Sequence, residues 1–517
     1  MNGAQALIRT LVAAGVDTCF MNPGTSEMHF VAALDEVPEM HSVLALFEGV
    51  ATGAADGYAR MSGRPAAVLL HLGPGLGNGL ANLHNARRGY TPVVNIVGDH
   101  ATYHAQYDAP LQSDIESIAK GVSGWIRSAD STASLQTDAA DAVAASFGPP
   151  GQVATLILPA DVCWLDSDGP VDPHETPKLL AVEPSTLAKI LDVVRSGEPT
   201  AFLLAGSSLM EPGLVAASRI AQSEGVRLIA ETFPPRLQRG AGLPALDRLM
   251  YLAEFAQAQL AGLKHLVLVG AASPVSFFAY PEIASDLVPE GCTVHVLAQP
   301  GDNSTAALEL LAEMLGAPRD SAVLAQPSRP DRPSGALNAE SFAAAVGALL
   351  PKDVIVVDEG NTAGLFVAGF TAGAPRHDWL CLPGGAIGYG MPVATGAAVA
   401  SPGKKVLNLQ ADGSAMYTFQ ALWTQVREGL DVITVILNNQ SYAILNLELS
   451  RVGAEPGPKA LEMLDLTNPR LDFVALAQGL GVSATRATTA EEFTAQLEAA
   501  FQSHGPHLIE AILPPTL

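Results

Sequence analysis

The sequence predicts an α/β protein made of three doubly wound, parallel-sheet domains. Three observations predict it. Short apolar runs alternate with helical patterns along all 517 residues. The runs are continuous rather than alternating, the pattern of strands covered on both faces, as in parallel sheets flanked by helices. Two polar, proline-bearing stretches divide the chain into three, in line with a prior of roughly 150 residues per domain.

Strand candidates in the first third are Ala67–Leu70, Val93–Val97 and Val153–Leu158. The linker Asp172–Ser185 follows. The middle third offers Ala201–Leu204, Arg227–Ala230, His265–Val269 and Thr293–Leu297, and closes with the linker Pro318–Ser334. Low hydrophobicity and fixed-φ prolines make both linkers poor core formers. The last third offers Val354–Val357, Val406–Leu409, Val432–Leu437 and Leu508–Ile512. The expected domains are therefore 1–172, 186–318 and 335–517. No short-period repeat interrupts them.

Composition narrows the function classes. There are 28 Lys and Arg against 52 Asp and Glu, a net charge of −24. That balance excludes a basic nucleic-acid footprint and argues against docking on an anionic membrane. Charged residues make up only 15%, against about 25% in ordinary soluble domains. With 48% hydrophobic residues, disorder is excluded. Trp379–Gly403 carries no charge and has the length of a membrane span. Pro383, Pro392, Pro402 and six glycines make buried core the better reading. Cys19, Cys163, Cys292 and Cys381 form no CxxC, so neither a disulfide framework nor a zinc site is expected. Arg9 and Asp17 interrupt the apolar N-terminus, and no signal peptide is read there. A cytoplasmic protein is the simplest expectation.

The chemistry starts at Leu407–Ser414, where a strand ends in Asp412-Gly413-Ser414 and a helix pattern follows over 415–428. Open parallel sheets bind ligands at this carboxyl edge, and a helix N-terminus offers free N–H groups to phosphate. The next strand ends in Asn438-Asn439, with Asn439 27 residues after Asp412, one strand-helix-strand step. The Asp412 carboxylate, the Asn439 amide oxygen and the Ser441 carbonyl make a hard oxygen set. With diphosphate oxygens, such a set suits octahedral Mg²⁺. Taken alone, Asp412 reads as a helix cap. The two motifs on adjacent strand ends favour a site.

Here the sequence resembles the thiamine diphosphate (ThDP)-dependent 2-oxo acid decarboxylase and acetolactate synthase family, whose signature is GDGS, a similar spacer, then NN. The resemblance covers essentially the whole chain and departs at the first glycine, which is Ala411. It implies ThDP and Mg²⁺ as cofactors. Asp412, Asn439 and the Ser441 carbonyl become the metal ligands. Gly413 and Ser414 lie against the diphosphate, Asn361 and Thr362 form a diphosphate-side loop, and Tyr442 adjoins the cofactor. The expected domains become pyrimidine-binding, middle and diphosphate-binding in that order.

The segment Val43–Ala51 delivers Glu48 from an apolar run into a helix pattern. On its own this is a first-turn carboxylate satisfied by the helix dipole. EGVATGAADGYAR resembles the family's E-x-x-A-x-x-A-A-x-G-Y-A-R, which makes Glu48 the cofactor-activating acid. It would hydrogen-bond N1′ of the aminopyrimidine and promote the imino tautomer that generates the ylid. Asp56 and Arg60 read as an i,i+4 pair. Gly384-Gly385-Ala386-Ile387-Gly388 resembles the family's GG-x-(L/I)-G segment. Ile387 would wedge the bent cofactor, a near-attack geometry, and the Gly385 carbonyl would accept from the 4′-amino group. The resemblance also places Pro23 and Asn78 at the cofactor.

On the substrate side, His71 ends a strand and precedes Gly73-Pro-Gly75-Leu-Gly77-Asn78. A dinucleotide fingerprint fails there, because Asn78 and Leu80 occupy the third glycine position in either frame. Benzoylformate decarboxylase-like members carry a histidine at this strand end, making His71 a candidate acid/base. Asn22–Glu27 resembles the family's N-P-G-S-x-E loop and puts Thr25, with Ser26 adjacent, on the substrate carboxylate. The same residues also fit a helix cap. The stretch Ala272–Tyr280 lacks the second catalytic histidine of benzoylformate decarboxylases, and its aromatics point to an apolar pocket. Asp99, His100 and His104 are candidates for the missing acid/base. His29 and Glu448 are candidates for pocket walls, and Ile444 would narrow the acyl pocket.

The expected function is a ThDP- and Mg²⁺-dependent decarboxylase or carboligase. It acts on a 2-oxo acid through ylid addition, CO₂ loss, and enamine protonation or C–C ligation. The alternative is acetolactate synthase-type carboligation of pyruvate. Glu183–Gly316 shows no convincing flavin loop, so FAD is not expected. A non-catalytic relative would have lost Glu48 or the metal pair, and both are present. The resemblance implies a homodimer or homotetramer with active sites between subunits, and no nucleic-acid or membrane partner. The uncharged tracts Pro65–Ala86 and Trp379–Gly403 are expected to meet at that subunit interface around the cofactor.

Overall fold

The computed structural model describes residues 1–515. The first segment supplies β1 (Thr18–Asn22), β2 (His41–Leu44), β3 (Ala66–Leu70), β4 (Val93–Asp99), β5 (Trp125–Ser128) and β6 (Val153–Pro159). They form one parallel sheet in the order β2-β1-β3-β4-β6-β5. The second segment supplies β7 (Thr200–Leu204), β8 (Val226–Ala230), β9 (Leu237–Arg239), β10 (Asp247–Arg248), β11 (His265–Val269) and β12 (Thr293–Ala298). Five of these make a parallel sheet ordered β10-β8-β7-β11-β12.

The last segment supplies β13 (Ile355–Glu359), β14 (His377–Leu380), β15 (Val406–Ala411), β16 (Val432–Asn438), β17 (Ser483–Ala487) and β18 (His507–Ile512). Their sheet runs β17-β18-β16-β15-β13-β14-β9. It is parallel except where β9, borrowed from the second segment, pairs antiparallel with β14.

Each expected apolar run becomes a strand, with ends shifted by a residue or two. β3, β4, β6, β7 and β16 are buried along almost their whole length, as continuous apolar runs require. Of the strands not anticipated, β2, β5 and β17 lie at sheet edges with exposed polar positions, whereas β1 and β14 are interior and buried. The helix expected over 415–428 is split. Asp412–Ala415 forms one turn and Ala421–Arg427 a separate helix, because Thr418 between them turns inward and donates to the Gly388 carbonyl at 2.9 Å. Among the described residues no helix is long and apolar enough to cross a membrane. The uncharged Trp379–Gly403 tract is strand end, turn and the buried helix Gly390–Ala400.

Two features lock the first and third segments together. The buried helices Glu48–Ser62 and Gly390–Ala400 cross so closely that a Cβ on Gly396 would sit 1.8 Å from the Ala54 carbonyl oxygen. Arg60 and Asp56 form the expected pair, at 2.7 Å, fully inside the protein. The same guanidinium donates to the Cys381 carbonyl (2.8 Å), the Tyr389 hydroxyl (3.0 Å) and the Pro235 carbonyl (3.2 Å). One side chain thus joins all three segments. On β14, buried His377 donates Nδ1–H to the Pro375 carbonyl at 2.8 Å, while Nε2 has no partner. Burial, with Arg239 nearby, pushes its pKa down to about 4.

Candidate active site

The carboxyl ends of β1, β3 and β4 lie side by side. From β1 the loop Pro23–Glu27 passes over His71, which follows β3. Glu27 is fully buried. Its Oε2 accepts the Gly24 N–H at 2.6 Å and lies 2.8 Å from His71 Nδ1. Its Oε1 has no partner. Burial raises the Glu27 pKa, against the lowering effects of the Gly24 N–H and His71. The fit depends on two close approaches. A Cβ on Gly24 would lie 2.3 Å from the His71 ring, and one on Gly98 would lie 1.7 Å from Glu27 Oε1. The cap reading of this loop is met by Glu27, whose carboxylate also reaches His71. The sequence reading treated Glu27 only as a cap.

Thr25 is exposed at the head of this loop, and its hydroxyl makes no hydrogen bond among the described residues. Asp99 ends β4 and accepts the His100 N–H at 2.7 Å, and burial raises its pKa. The His100 and His104 rings lie 5.3 Å apart, but neither bonds to His71. His29 packs on Trp164 at 5.6 Å.

Glu48 opens its helix as expected and is 8% exposed. Asn78, on the helix Leu72–Arg88, donates to Glu48 Oε2 at 3.0 Å. The same helix grips the glycine-rich turn of the third segment. Asn82 donates to the carbonyls of Gly49 (2.8 Å) and Gly388 (3.3 Å). His84 Nε2 meets the Gly384 carbonyl at 3.1 Å, and Asn85 donates to the Ala386 carbonyl at 2.8 Å. The two uncharged tracts, expected to meet between subunits, thus already meet within one chain.

In that turn Gly385 has φ +73°, and the Phe277 ring lies 2.8 Å from where its Cβ would be. Phe277 packs with Tyr251 (5.3 Å), Phe278 (5.2 Å) and Phe233 (5.9 Å). The histidine-free stretch 272–280 therefore does reach the Gly385 turn, and it brings an aromatic wall. Ile387 is half-buried beside it. Glu359, at the end of β13, accepts the N–H groups of Gly388, Tyr389 and Gly390 and the Gln410 amide. Sequence reasoning missed it.

At the end of β15, Asp412 is 3% exposed. Its oxygens accept the N–H of Gly413 and of Gln440, each at 2.7 Å. Asn439 Oδ1 accepts the Ser441 N–H at 3.1 Å. Asp412 and the Asn439–Ser441 turn are thus in contact, at the ends of the paired strands β15 and β16. Burial pushes the Asp412 pKa up to about 6, opposed only by backbone N–H groups. A buried carboxylate with no cation beside amide and carbonyl oxygens fits a hard divalent ion. Among the described residues no three His, Cys, Asp or Glu side chains gather as a metal set.

Ser414 Oγ takes the Gln410 amide at 2.6 Å, and the Tyr442 ring lies against Gly413. Asn361 and Thr362 begin a single turn after β13, with Asn361 exposed at φ +47°. The helix after Tyr442 docks on the second segment. Arg451 pairs with Glu254 at 3.0 Å and lies 4.2 Å from the Tyr280 ring centroid, with Glu448 3.8 Å away. Ile444 is half-buried on this helix. Among the described residues no hydrogen bond or ion pair joins Glu48, Asn78 or His71 to Asp412, Asn439 or Ser441.

The chain thus carries two strand-edge sites on separate sheets, one offering acids and the other hard oxygens. Residues 1–120 match the family described as thiamine pyrophosphate enzyme, N-terminal TPP binding domain. Residues 358–511 match its C-terminal TPP binding domain. The chain is 60% identical over 516 residues, 99% of each protein, to a Mycobacterium tuberculosis protein named "Putative acetolactate synthase large subunit IlvX". It belongs to the thiamine pyrophosphate enzyme family. It is also 29% identical, over 96% of each protein, to a benzoylformate decarboxylase of Pseudomonas aeruginosa. Its fold matches a Rhodococcus jostii thiamine diphosphate-dependent 4-hydroxybenzoylformate decarboxylase with TM-score 0.87, over 99% of each chain at 23% identity.

Proposed function

We propose that this enzyme uses ThDP and Mg²⁺ to decarboxylate a 2-oxo acid and to deliver the acyl fragment to a proton or a second carbonyl. The observation that carries this reading is the buried Glu48, paired with Asn78 alone, in a chain whose Asp412 and Asn439 share a second strand edge. When bound, the cofactor supplies an electron sink for the charge left by CO₂.

The residues have separate tasks. Asp412, Asn439 and the Ser441 carbonyl hold Mg²⁺. Gly413, Ser414, Asn361 and Thr362 face the diphosphate. The Gly385 carbonyl and Ile387 orient the pyrimidine, with Pro23, Asn78 and Tyr442 around it. Glu48 holds a proton at the pyrimidine ring nitrogen. Thr25 binds the substrate carboxylate until it leaves. His71 moves a proton at the former carbonyl carbon, held by Glu27 through Nδ1 so that Nε2 is free. Segment 1–172 is then the pyrimidine-binding unit, 335–517 the diphosphate-binding unit, and 186–318 a middle unit without flavin. Among the described residues no hydrogen bond or ion pair joins the Glu48 and Asp412 groups, which supports a working site formed between two copies, in a dimer or tetramer.

One observation favours the carboligase outcome, as in an acetolactate synthase. Phe277 and its aromatic neighbours, with no histidine in 272–280, line the Gly385 turn, which leaves that wall without a group to protonate the product. The test is chelator dialysis followed by assay with pyruvate and with benzoylformate. Activity returns only when ThDP and Mg²⁺ are added together, and resolving aldehyde from hydroxyketone sorts the two outcomes. No return of activity on either substrate overturns the reading.

A further inference from the structure

The geometry points to Glu359 as a positioning residue that holds the two ends of the cofactor site in register. This deepens the function proposed above and rests on it. Glu359 is 2% exposed, so it meets neither solvent nor substrate directly. Its carboxylate accepts four donors: the N–H groups of Gly388 (2.7 Å), Tyr389 (3.1 Å) and Gly390 (2.5 Å), and Gln410 Nε2 (2.9 Å).

Three of these donors come from the turn just after Ile387, the residue assigned to the pyrimidine end. The fourth is relayed. Gln410 Nε2 also donates to Ser414 Oγ at 2.6 Å, the hydroxyl assigned to the diphosphate end. Two residues beyond Glu359, Asn361 opens the turn assigned to the same diphosphate. One carboxylate therefore ties together three separate cofactor-facing segments. The chemistry requires an anion. A carboxylate presents about four acceptor positions, whereas an amide presents one oxygen and turns an NH₂ group toward donors. Losing Glu359 should therefore shift the Ile387 turn relative to Ser414 rather than remove a ligand contact.

Wild type, E359Q and E359D, each in excess Mg²⁺, are titrated calorimetrically with ThDP and separately with inorganic pyrophosphate. If Glu359 sets the register, E359Q weakens ThDP by about tenfold or more and pyrophosphate by less than about threefold. E359D, which keeps the charge, regains part of the ThDP affinity. Equal ThDP affinity in wild type and E359Q overturns the proposal and leaves the proposed function standing. Equal losses for both probes also overturn it, because the residue then supports the diphosphate end alone. A wild type that does not bind ThDP overturns the functional reading and this proposal together. Should E359Q not fold, as judged by its thermal transition, E359D decides in its place: weakened ThDP with unchanged pyrophosphate supports the proposal, and parallel changes overturn it.

Discussion

Glu27 holds His71 at the sheet edge, with 2.8 Å between its Oε2 and the imidazole Nδ1. The same oxygen fixes the Gly24 N–H, so the position of the loop carrying Thr25 and the orientation of His71 depend on one buried carboxylate. Replacing His71 by Ala is expected to lower turnover of the 2-oxo acid by about 10²- to 10⁴-fold, the usual scale of general acid–base loss. E27Q, which keeps the shape but not the charge, should fall toward the H71A rate while ThDP affinity stays at the wild-type level. Steady-state rates alongside cofactor titrations check this. Unchanged turnover in E27Q would remove Glu27 from the mechanism.

Glu48 and Asn78 separate proton transfer from cofactor capture. E48Q is expected to bind ThDP and Mg²⁺ yet nearly abolish exchange of the cofactor C2 proton with deuterated solvent, followed by NMR. N78A removes the hydrogen bond to Glu48 Oε2, worth about 0.5–1.5 kcal/mol, and should slow the same exchange by about threefold to tenfold. Wild-type exchange in E48Q would refute the role given to Glu48.

Arg60 and Asp56 test the junction of the three segments. R60A leaves the fully buried Asp56 carboxylate without its cation, a change that costs about 3–5 kcal/mol. The double variant D56L/R60M, which removes both charges, is expected to be more stable than R60A. Denaturant unfolding of the single and double variants measures the coupling. A loss near zero in R60A would show that the buried pair carries no stability.

His377 sets an acid limit on the fold. Its folded pKa of about 4 lies below the ordinary 6.5, so the unfolded chain takes up this proton more readily. Stability from this group is fully present above pH 6.5 and is lost as pH falls toward about 4. A gap of about 2.5 pH units corresponds to roughly 3 kcal/mol. H377Q should flatten the drop in thermal midpoint across that window. An unchanged acid profile in H377Q would assign the drop to other groups.

The parts of the fold that could be read were those where burial alone determines the sequence. Val93–Val97 and Val432–Leu437 announce themselves because both faces are covered. β14 is equally buried, but it begins with His377-Asp378, whose partners Pro375 and Arg236 cannot be seen from the run itself. The same distinction holds at the site. That Asp412 and Asn439 would lie side by side was legible because each ends an apolar strand at a fixed spacing. Glu359 also ends one, yet its donors lie 29 to 51 residues away, so a strand-end carboxylate passes for surface charge. Glu27 was half legible. Its local bond to Gly24 can be read from the loop, and its bond to His71, 44 residues on, cannot.

The antiparallel pairing of Leu237 with Trp379 has an evolutionary consequence. A family that diversifies by exchanging its middle segment would break the C-terminal sheet if the crossover fell in the proline-rich stretches, because β9 would travel with the insert. A crossover between Arg239 and Asp247 would spare β9 but would part β7 and β8 from β10, β11 and β12 of the second sheet. The middle and C-terminal segments of this architecture are therefore expected to be inherited together, because a second-sheet strand lies on each side of β9 in sequence.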